Sequence, residues 1–467
     1  MQNSRMRLLR ALLLLSLGSV VFAQGASEKR LTLAEAIALA KKQNPEILIA
    51  RKQVEAAHGG RIEARAGYLP SVVSSGLLRK RAEQEQSTLR SDDYNASLRV
   101  IQNVYSGGAV KARNAIARLL EEKRQLELEA VTDRVLMDLR VDYYEALLNR
   151  AKIDVREQSV RVMRDELEVQ KQRFVAGTVG EINVRRAQVS LANEEPELFQ
   201  AQTNLQNSYL RLSEVCGLTS GKRTTAAIAE TTDRLQYQPL HPDLNECLGY
   251  ASVKRPEVRS REIDVEVEEQ QLIIDQSEQK PRVEVFTGYE VYSERDPSVG
   301  PEFNHGYVVG LNASWHLFDG YATRGRMIAT RARRDAAQAA LDAAQLSVQS
   351  DVRSAFFDLQ QADRVMESET RNVENASESL DLARGNLGAG LGTQLDVLQA
   401  TSDVTRARTT RLSAIYLHNA ALARLAKACA REPDELGFNP KFRTAEDAKR
   451  QAQVFDVAKP PKGLGAR

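Results

Sequence analysis

The second half of this 467-residue chain repeats the first, almost position for position. Leu33-Ala34-Glu35 and Asn44-Pro45-Glu46 recur as Leu244-Asn245-Glu246 and Arg255-Pro256-Glu257, and at the same offset Pro70 meets Pro281. Two residues are then inserted. From Tyr105-Ser106-Gly107 against Phe318-Asp319-Gly320 the pairing runs without a gap through Gly177/Gly390, Asn183/Asp396, Ala187/Ala400 and Cys216/Cys429. Surface loops accept insertions at little energetic cost, so a duplication that tolerates none implies a rigid element whose length is itself selected.

The N-terminus reads as a signal peptide over residues 1–23. Arg5, Arg7 and Arg10 precede an apolar run from Ala11 to Phe22, and Val21-Phe22-Ala23 supplies a cleavage site, so the mature chain is expected to start near Gln24. No later stretch reaches the apolar length of about eighteen residues that a spanning helix needs, so any further contact with a bilayer has to be made by β-strands. Lys+Arg number 65 and Asp+Glu 63, a balance that argues against a nucleic-acid partner. The five histidines, His58, His241, His305, His316 and His418, are scattered, and neither metal spacing nor a nucleophile motif is present, so no enzyme, metal or cofactor is expected. His316 is expected to face the lumen and His418 to lie on a helix. Three cysteines are too few for a disulfide framework; Cys216 and Cys429 read as small, buried, inert side chains at helix ends rather than as a pair.

Each repeat opens with a helix start that can be read locally. Thr32 with Glu35, and Asp243 with Glu246, fit an N-cap and its capping-box partner. Pro45 and Pro256 then separate a short helix from a second one of about twenty residues, which ends at Gly67-Tyr68-Leu69-Pro70 and at Gln279-Lys280-Pro281. Proline disfavours continuing the helix, so the chain changes direction there. The period next switches from helical to alternating. Strands are expected across about 70–105 and 281–318. Residues Tyr94 to Ile101 mostly alternate, Val283, Val285, Thr287, Tyr289 and Val291 alternate with Glu284, Phe286, Gly288 and Glu290, and Tyr307, Val309, Leu311, Ala313, Trp315 and Leu317 oppose Val308, Gly310, Asn312, Ser314 and His316. The clearest run has about ten residues, the length of a tilted membrane strand, although a soluble half-buried sheet gives the same alternation.

From Gly107 to about Val175, and from Gly320 to about Gly388, no proline intervenes, and at about 1.5 Å per residue each stretch can form a helix of roughly 100 Å. Leu139, Ala146, Ile153, Val160, Leu167 and Phe174 recur every seven residues, while Tyr143, Arg150, Glu157 and Arg164 at the partner positions are largely polar. Such a thin, one-sided seam suits a rod in a curved wall better than a compact bundle core. Both rods end at glycine-bearing turns, Gly177-Thr178 and Gly390-Leu391, and return helices of about thirty-five residues lead to Cys216 and Cys429. Pro196 is expected to kink or break the first of these. The helix before the strands and the return helix together approach the length of the long rod, so the two can stack end to end.

These residues resemble the TolC-like outer-membrane efflux proteins of Gram-negative bacteria. The resemblance is carried by Leu31 to Ala36, Asn44-Pro45-Glu46, Tyr68 to Pro70, Leu317 to Gly320, and Asp396 to Ala400 behind the second tip turn, and it spans Leu31 to about Ala430. It implies a mainly α fold with a small transmembrane β part: two tandem structural repeats, whose long helical hairpins form a periplasmic tunnel, and four strands per chain in a trimeric 12-stranded outer-membrane β-barrel. Elementary physics agrees, because four strands cannot close a barrel and lipid forbids an open edge. The family closes its periplasmic end with acidic rings and an Arg/Tyr/Asp latch. Here Asp396 matches one acidic position, Gln399 stands at the next, Gly392 and Leu387 occupy the latch Arg and Tyr positions, and Asn183 and Arg186 are the repeat-one counterparts. The latch is therefore not carried over.

The expected division is a signal peptide (1–23), a first repeat (24–218), a linker (219–240), a second repeat (241–430) and a partly disordered C-terminal tail (431–467) containing Pro460-Pro461. The expected function is a passive export duct, the outer-membrane channel of a tripartite efflux pump or type I secretion system; a non-conducting periplasmic coiled-coil tether is the alternative. The resemblance implies a homotrimer set in outer-membrane lipid, a periplasmic adaptor, and an inner-membrane pump or ABC transporter. Asn183, Arg186, Asp396 and Gln399 are the expected constriction, where threefold symmetry would set three aspartates near three arginines. Gly177, Thr178, Gly390 and Leu391 are the expected adaptor-docking tips, and Pro70 and Pro281 the helix-to-strand swivels.

Overall fold

The computed structural model describes residues 29–80, 92–218, 229–294, 296, 298–299, 301, 303–431 and 433. The expected signal peptide, residues 219–228 of the linker, and the tail beyond Arg431 and Pro433 lie outside the described residues. The chain forms two compact units, Met1–Gln43 with Asp142–Arg234 and Asn44–Val141 with Leu235–Arg467.

The elements follow the duplication. Strand β1 (Lys29–Leu31) leads into α1 (Leu33–Gln43) and α2 (Pro45–Ala66), which precede β2 (Ser71–Lys80), β3 (Asp92–Tyr105), the long helix α3 (Ala109–Val175) and the return helix α4 (Glu181–Val215). After β4 (Ala229–Thr231) the second repeat gives α5 (Leu244–Lys254), α6 (Pro256–Ser277), β5 (Arg282–Ser293), β6 (Phe303–Ser314), α7 (Ala322–Gly388) and α8 (Gln394–Cys429). Helices α3 and α7 have 67 residues each, about 100 Å at the usual rise.

The local signals behave as their chemistry requires. Thr32 and Glu35 form a reciprocal cap: the Thr32 N–H donates to the Glu35 carboxylate at 2.8 Å, and the Glu35 N–H donates to Thr32 Oγ1 at 3.3 Å. Asn44 caps α2 by accepting from the Glu46 and Ile47 N–H groups at 2.9 and 3.2 Å. Asp243 caps α5 in the same way, accepting from Asn245 and Glu246 at 2.7 and 3.3 Å. The side chain of Glu246, however, is engaged by Arg431 at 2.7 Å, so the expected reciprocal box becomes a tertiary ion pair.

In the larger unit, α6 and α8 both pack along α7. Val348, Val352, Leu359, Leu422, Leu425 and Cys429 form the core there, closed by Cys247, Ala251 and Val258 from α5 and α6. The two shorter helices meet head to tail as expected. At the junction Arg255, 4% exposed, donates to the Ala428 carbonyl in the last turn of α8 at 3.2 Å, while pairing with Glu257 at 2.9 Å and Asp351 at 3.4 Å. A buried guanidinium with three partners satisfies carbonyls that a helix C-terminus otherwise leaves open.

The smaller unit shows where sequence period misleads. Ala146 and Val160 are buried as the heptad requires, yet Phe174 is 45% exposed. Tyr143, at a supposedly polar partner position, is fully buried, its hydroxyl donating to Asp233 at 2.6 Å. Arg150 donates to the Thr231 carbonyl at 2.6 Å. Both serve a parallel β1/β4 pair, Leu31 opposite Thr231, that the linker expected at 219–240 did not foresee. Helix α4 continues through Pro196 with no break, braced by Arg156, which pairs with Glu194 at 2.9 Å and Glu197 at 3.2 Å on either side of the proline.

Candidate functional site

The four long strands form one antiparallel sheet in the order β2-β3-β5-β6. The register sets Val72, Ser74, Gly76 and Leu78 beside Val100, Leu98, Ala96 and Tyr94, then Thr287, Tyr289 and Val291, then Val309, Tyr307 and His305. This face is mostly apolar, broken by Ser74, Thr287 and His305, and it is bare: Tyr307, Val309 and Leu311 are 90%, 75% and 64% exposed. None of the described residues covers it, a pattern that aqueous solvent penalises and hydrocarbon rewards. The opposite face is mixed, with Val73, Leu77, Ile101 and Phe286 set among polar side chains. It carries the ion pairs Arg99–Glu290 and Arg79–Asp93 and the Ser75–Ser97 hydroxyl contact at 2.8 Å. Gly288 lets β3 approach, since a Cβ there would lie 2.4 Å from the Leu98 carbonyl oxygen, and the Phe286 ring fills the space above Gly310. The alternation ends sooner than expected: β6 stops at Ser314, so Trp315, His316 and Leu317 fall past the strand and His316 has no lumen-facing strand position. The Trp315 indole instead donates to the Gln279 carbonyl at 3.0 Å.

Both swivels are built alike. After α2, three successive bonds from Gly67, Tyr68 and Leu69 back to Ala64, Arg65 and Ala66 tighten the last turn before Pro70, and β2 begins at Ser71. Glu278, Gln279 and Lys280 do the same before Pro281 and β5. Proline has no N–H to extend either turn, so the chain leaves as a strand. A bulge between Asn103 and Tyr105 adds a local twist at the same end of the sheet. Gly107 lies against this junction with φ +63°, and a Cβ there would come within 2.8 Å of the Ser277 carbonyl oxygen and 2.9 Å of Lys280 Cβ. Its counterpart Gly320 has the same φ but open space around it.

The tip turns share one design. Thr178 and Gly177 donate to the Arg173 and Phe174 carbonyls at 3.0 and 2.9 Å, with Gly177 at φ +72°; Leu391 and Gly390 donate to Asn386 and Leu387 at 2.9 and 3.1 Å, with Gly390 at φ +75°. These paired bonds close each long helix and require a residue tolerant of positive φ. A Cβ on either glycine would meet nothing within 4 Å, so both turns are open to a partner. Exposed apolar side chains surround them, Phe174, Val175 and Ile182 at one tip and Leu395 beside the expected Leu391 at the other; of these the sequence reading named only Leu391 as a docking residue.

Of the four constriction candidates, Asn183 and Arg186 lie in the first two turns of α4, and Asp396 and Gln399 in those of α8. Asp396 also has a structural role, since its carboxylate accepts from the Thr393 N–H at 2.8 Å and hydroxyl at 2.7 Å, closing a capping box. The Thr393 backbone bond, then its hydroxyl, hold the Asp396 carboxyl below its usual range, so it stays ionised at neutral pH. Gln399 donates to Asp403 at 3.2 Å, which sets Asp396, Gln399 and Asp403 on one helix face. Asp403, two turns from Asp396, is the acidic residue that reasoning from pairs of positions missed. At the other tip Arg185 pairs with Glu181 at 3.0 Å, and among the described residues Arg186 is exposed with no ion-pair partner.

No helix among the described residues is long and apolar enough to cross a membrane, and no group of three or more His, Cys, Asp or Glu side chains there could hold a metal ion. Comparison with known proteins gives a match to the outer membrane efflux protein family over residues 36–218 and 248–431, one match per repeat. The cobalt-zinc-cadmium resistance protein CzcC of Cupriavidus metallidurans is 22% identical over 289 residues, 62% of this chain and 64% of its own length. Protein CyaE of Bordetella pertussis is 26% identical over 308 residues, 64% of this chain and 62% of its own length. The chain thus spans less than two thirds of the curated relatives it matches. In fold it is similar to the Campylobacter jejuni CmeC outer membrane channel, with a TM-score of 0.73 at 14% identity over 91% of this chain and 90% of that one.

Proposed function

Because the chain belongs to the outer membrane efflux protein family, we propose that it is the outer-membrane channel of a tripartite efflux pump or type I secretion system, a passive duct through outer membrane and periplasm. The observation that carries this reading is the bare, mostly apolar face of a four-stranded sheet whose opposite face holds its ion pairs and whose edges, β2 and β6, have no partner among the described residues. Lipid tolerates strands only when every edge is paired, so closure calls for further copies; three copies give twelve strands, wide enough for a wet lumen.

The partners follow from the same reading: a periplasmic adaptor at the open turns Gly177-Thr178 and Gly390-Leu391, and an inner-membrane pump or ABC transporter that supplies energy and selects substrate. Asn183, Arg186, Asp396 and Gln399, with Asp403, supply the polar lining of the periplasmic entrance. Residues 24–218 and 241–430 are its two working repeats. Reconstitution of the purified protein in planar bilayers tests the reading. Stepwise ohmic conductance is expected, and a protein that inserts without conducting would leave the tether as the better account.

A further inference from the structure

We propose that Cys247 and Cys429 become joined by a disulfide once the chain has been exported, stapling α5 to the last turn of α8. The two residues are 2% and 0% exposed, and their side chains are in hydrogen-bonding contact within one core cluster. Fixed contacts hold their backbones in place. Arg431 reaches across to Glu246 at 2.7 Å and lies 4.2 Å from the centroid of the Tyr250 ring, while Arg255, one residue beyond α5, donates to the Ala428 carbonyl at 3.2 Å. Cys247 thus follows one anchored residue directly, and Cys429 sits between two others.

Once docked, the pair is unsymmetrical. The hydrogen bond with Cys429, aided by the Arg431 charge, lowers the Cys247 thiol below its ordinary value, while the same bond and burial push Cys429 up. In the docked pair Cys247 is thus the more acidic thiol; before docking either thiolate can attack, Cys247 for instance. Its thiolate displaces one sulfur of a periplasmic dithiol–disulfide oxidase, forming a mixed disulfide; Cys429, on losing its proton, attacks Cys247 Sγ and releases the second oxidase sulfur. One S–S bond forms in the chain and one breaks in the oxidase, which leaves as a dithiol carrying the two electrons and two protons. Both thiols are buried in the folded unit, so the exchange belongs to the exported chain before α5 docks. Repeat one cannot make the same bond: it has Cys216 at the position of Cys429, but Ala36 at that of Cys247.

The test is a thiol count on protein recovered from outer membranes after acid quenching, unfolded and labelled with a maleimide of defined mass. One adduct is expected on the wild type and three after reduction. Cys216→Ala should show none, and Cys247→Ala two. Three adducts on the unreduced wild type, or two on Cys216→Ala, overturn the proposal. The inference takes only the exported location from the channel reading. A conducting protein with three reactive thiols sinks the disulfide alone, and a non-conducting one with a single adduct sinks the channel alone.

Discussion

Ala430 ends α8 in the left-handed conformation, φ +52°, at the position where repeat one places Gly217 at φ +72°. The closing bonds are the same, Arg431 N–H to Ala426 at 3.0 Å and Leu218 N–H to Ser213 at 2.9 Å, so the alanine holds a backbone state that costs an L-residue about 1 kcal/mol. Ala430→Gly is expected to stabilise the second repeat by about 0.5 kcal/mol, once the glycine's extra freedom in the unfolded chain is offset, read as a raised denaturation midpoint. Tyr321, at φ 67° opposite Gly108, is a second such site, steadied by the Phe318 ring with centroids 5.6 Å apart. At the tip, Asp396 sets a pH dependence. Its carboxyl is lowered in the folded state by Thr393, so the cap is intact above the ordinary carboxylate value and is lost only as pH falls through the lowered one. Hydrogen exchange at the Thr393 amide should be slow at neutral pH in the wild type and fast in Asp396→Asn, the two converging in acid. Caps such as Thr32 with Glu35 were legible because the partners lie three positions apart; the Thr393–Asp396 box, just as local, was not read as one. Arg255 was not legible, because its partner Ala428 is remote in sequence.

Among elements, the joint between α8 and α6 is the sharpest test of end-to-end stacking. Removing Arg255 leaves the Ala428 carbonyl buried without a donor, so Arg255→Met should cost about 2 kcal/mol, measured by denaturant unfolding of the detergent-solubilised protein. Asn44, its counterpart, caps its own helix locally, and Asn44→Ala should cost about 1 kcal/mol. The tip turns separate strain from docking. A side chain at Gly177 or Gly390 meets open space, so Gly390→Leu carries only the local cost of positive φ, about 1 kcal/mol. Loss of export with oligomer assembly intact would mark the turn as a contact for a partner; unchanged export rejects that role. Helix lengths and swivel prolines were readable because proline and glycine punctuate a strong period. The β1/β4 pair escaped because three-residue strands have no period, and Tyr143 and Arg150 looked solvent-facing until Asp233, just past β4, and the Thr231 carbonyl supplied their acceptors.

At the scale of the whole molecule, alternation located the four strands but could not choose between lipid and a protein core; the bare face and its exposed tyrosine support lipid under the proposed channel reading. The entrance charges were found by position, and their lining role follows from the proposed duct. Reversal potentials on reconstituted channels check it: Arg186→Ala should move selectivity toward cations and Asp396→Ala away from them, with no shift if neither residue lines the path. Crosslinking in native membranes should give trimers, and monomers alone would reject the closed barrel. Gly107 is filled by the end of α6 from its own chain, whereas Gly320 and, among the described residues, both sheet edges are open, and the proposed ring would close them with a neighbour. In a three-membered ring the first encounter completes one such junction and the last completes two at once. Paired chains are then a fleeting species, assembly is all or none, and dilution acts on the complete ring rather than peeling it apart.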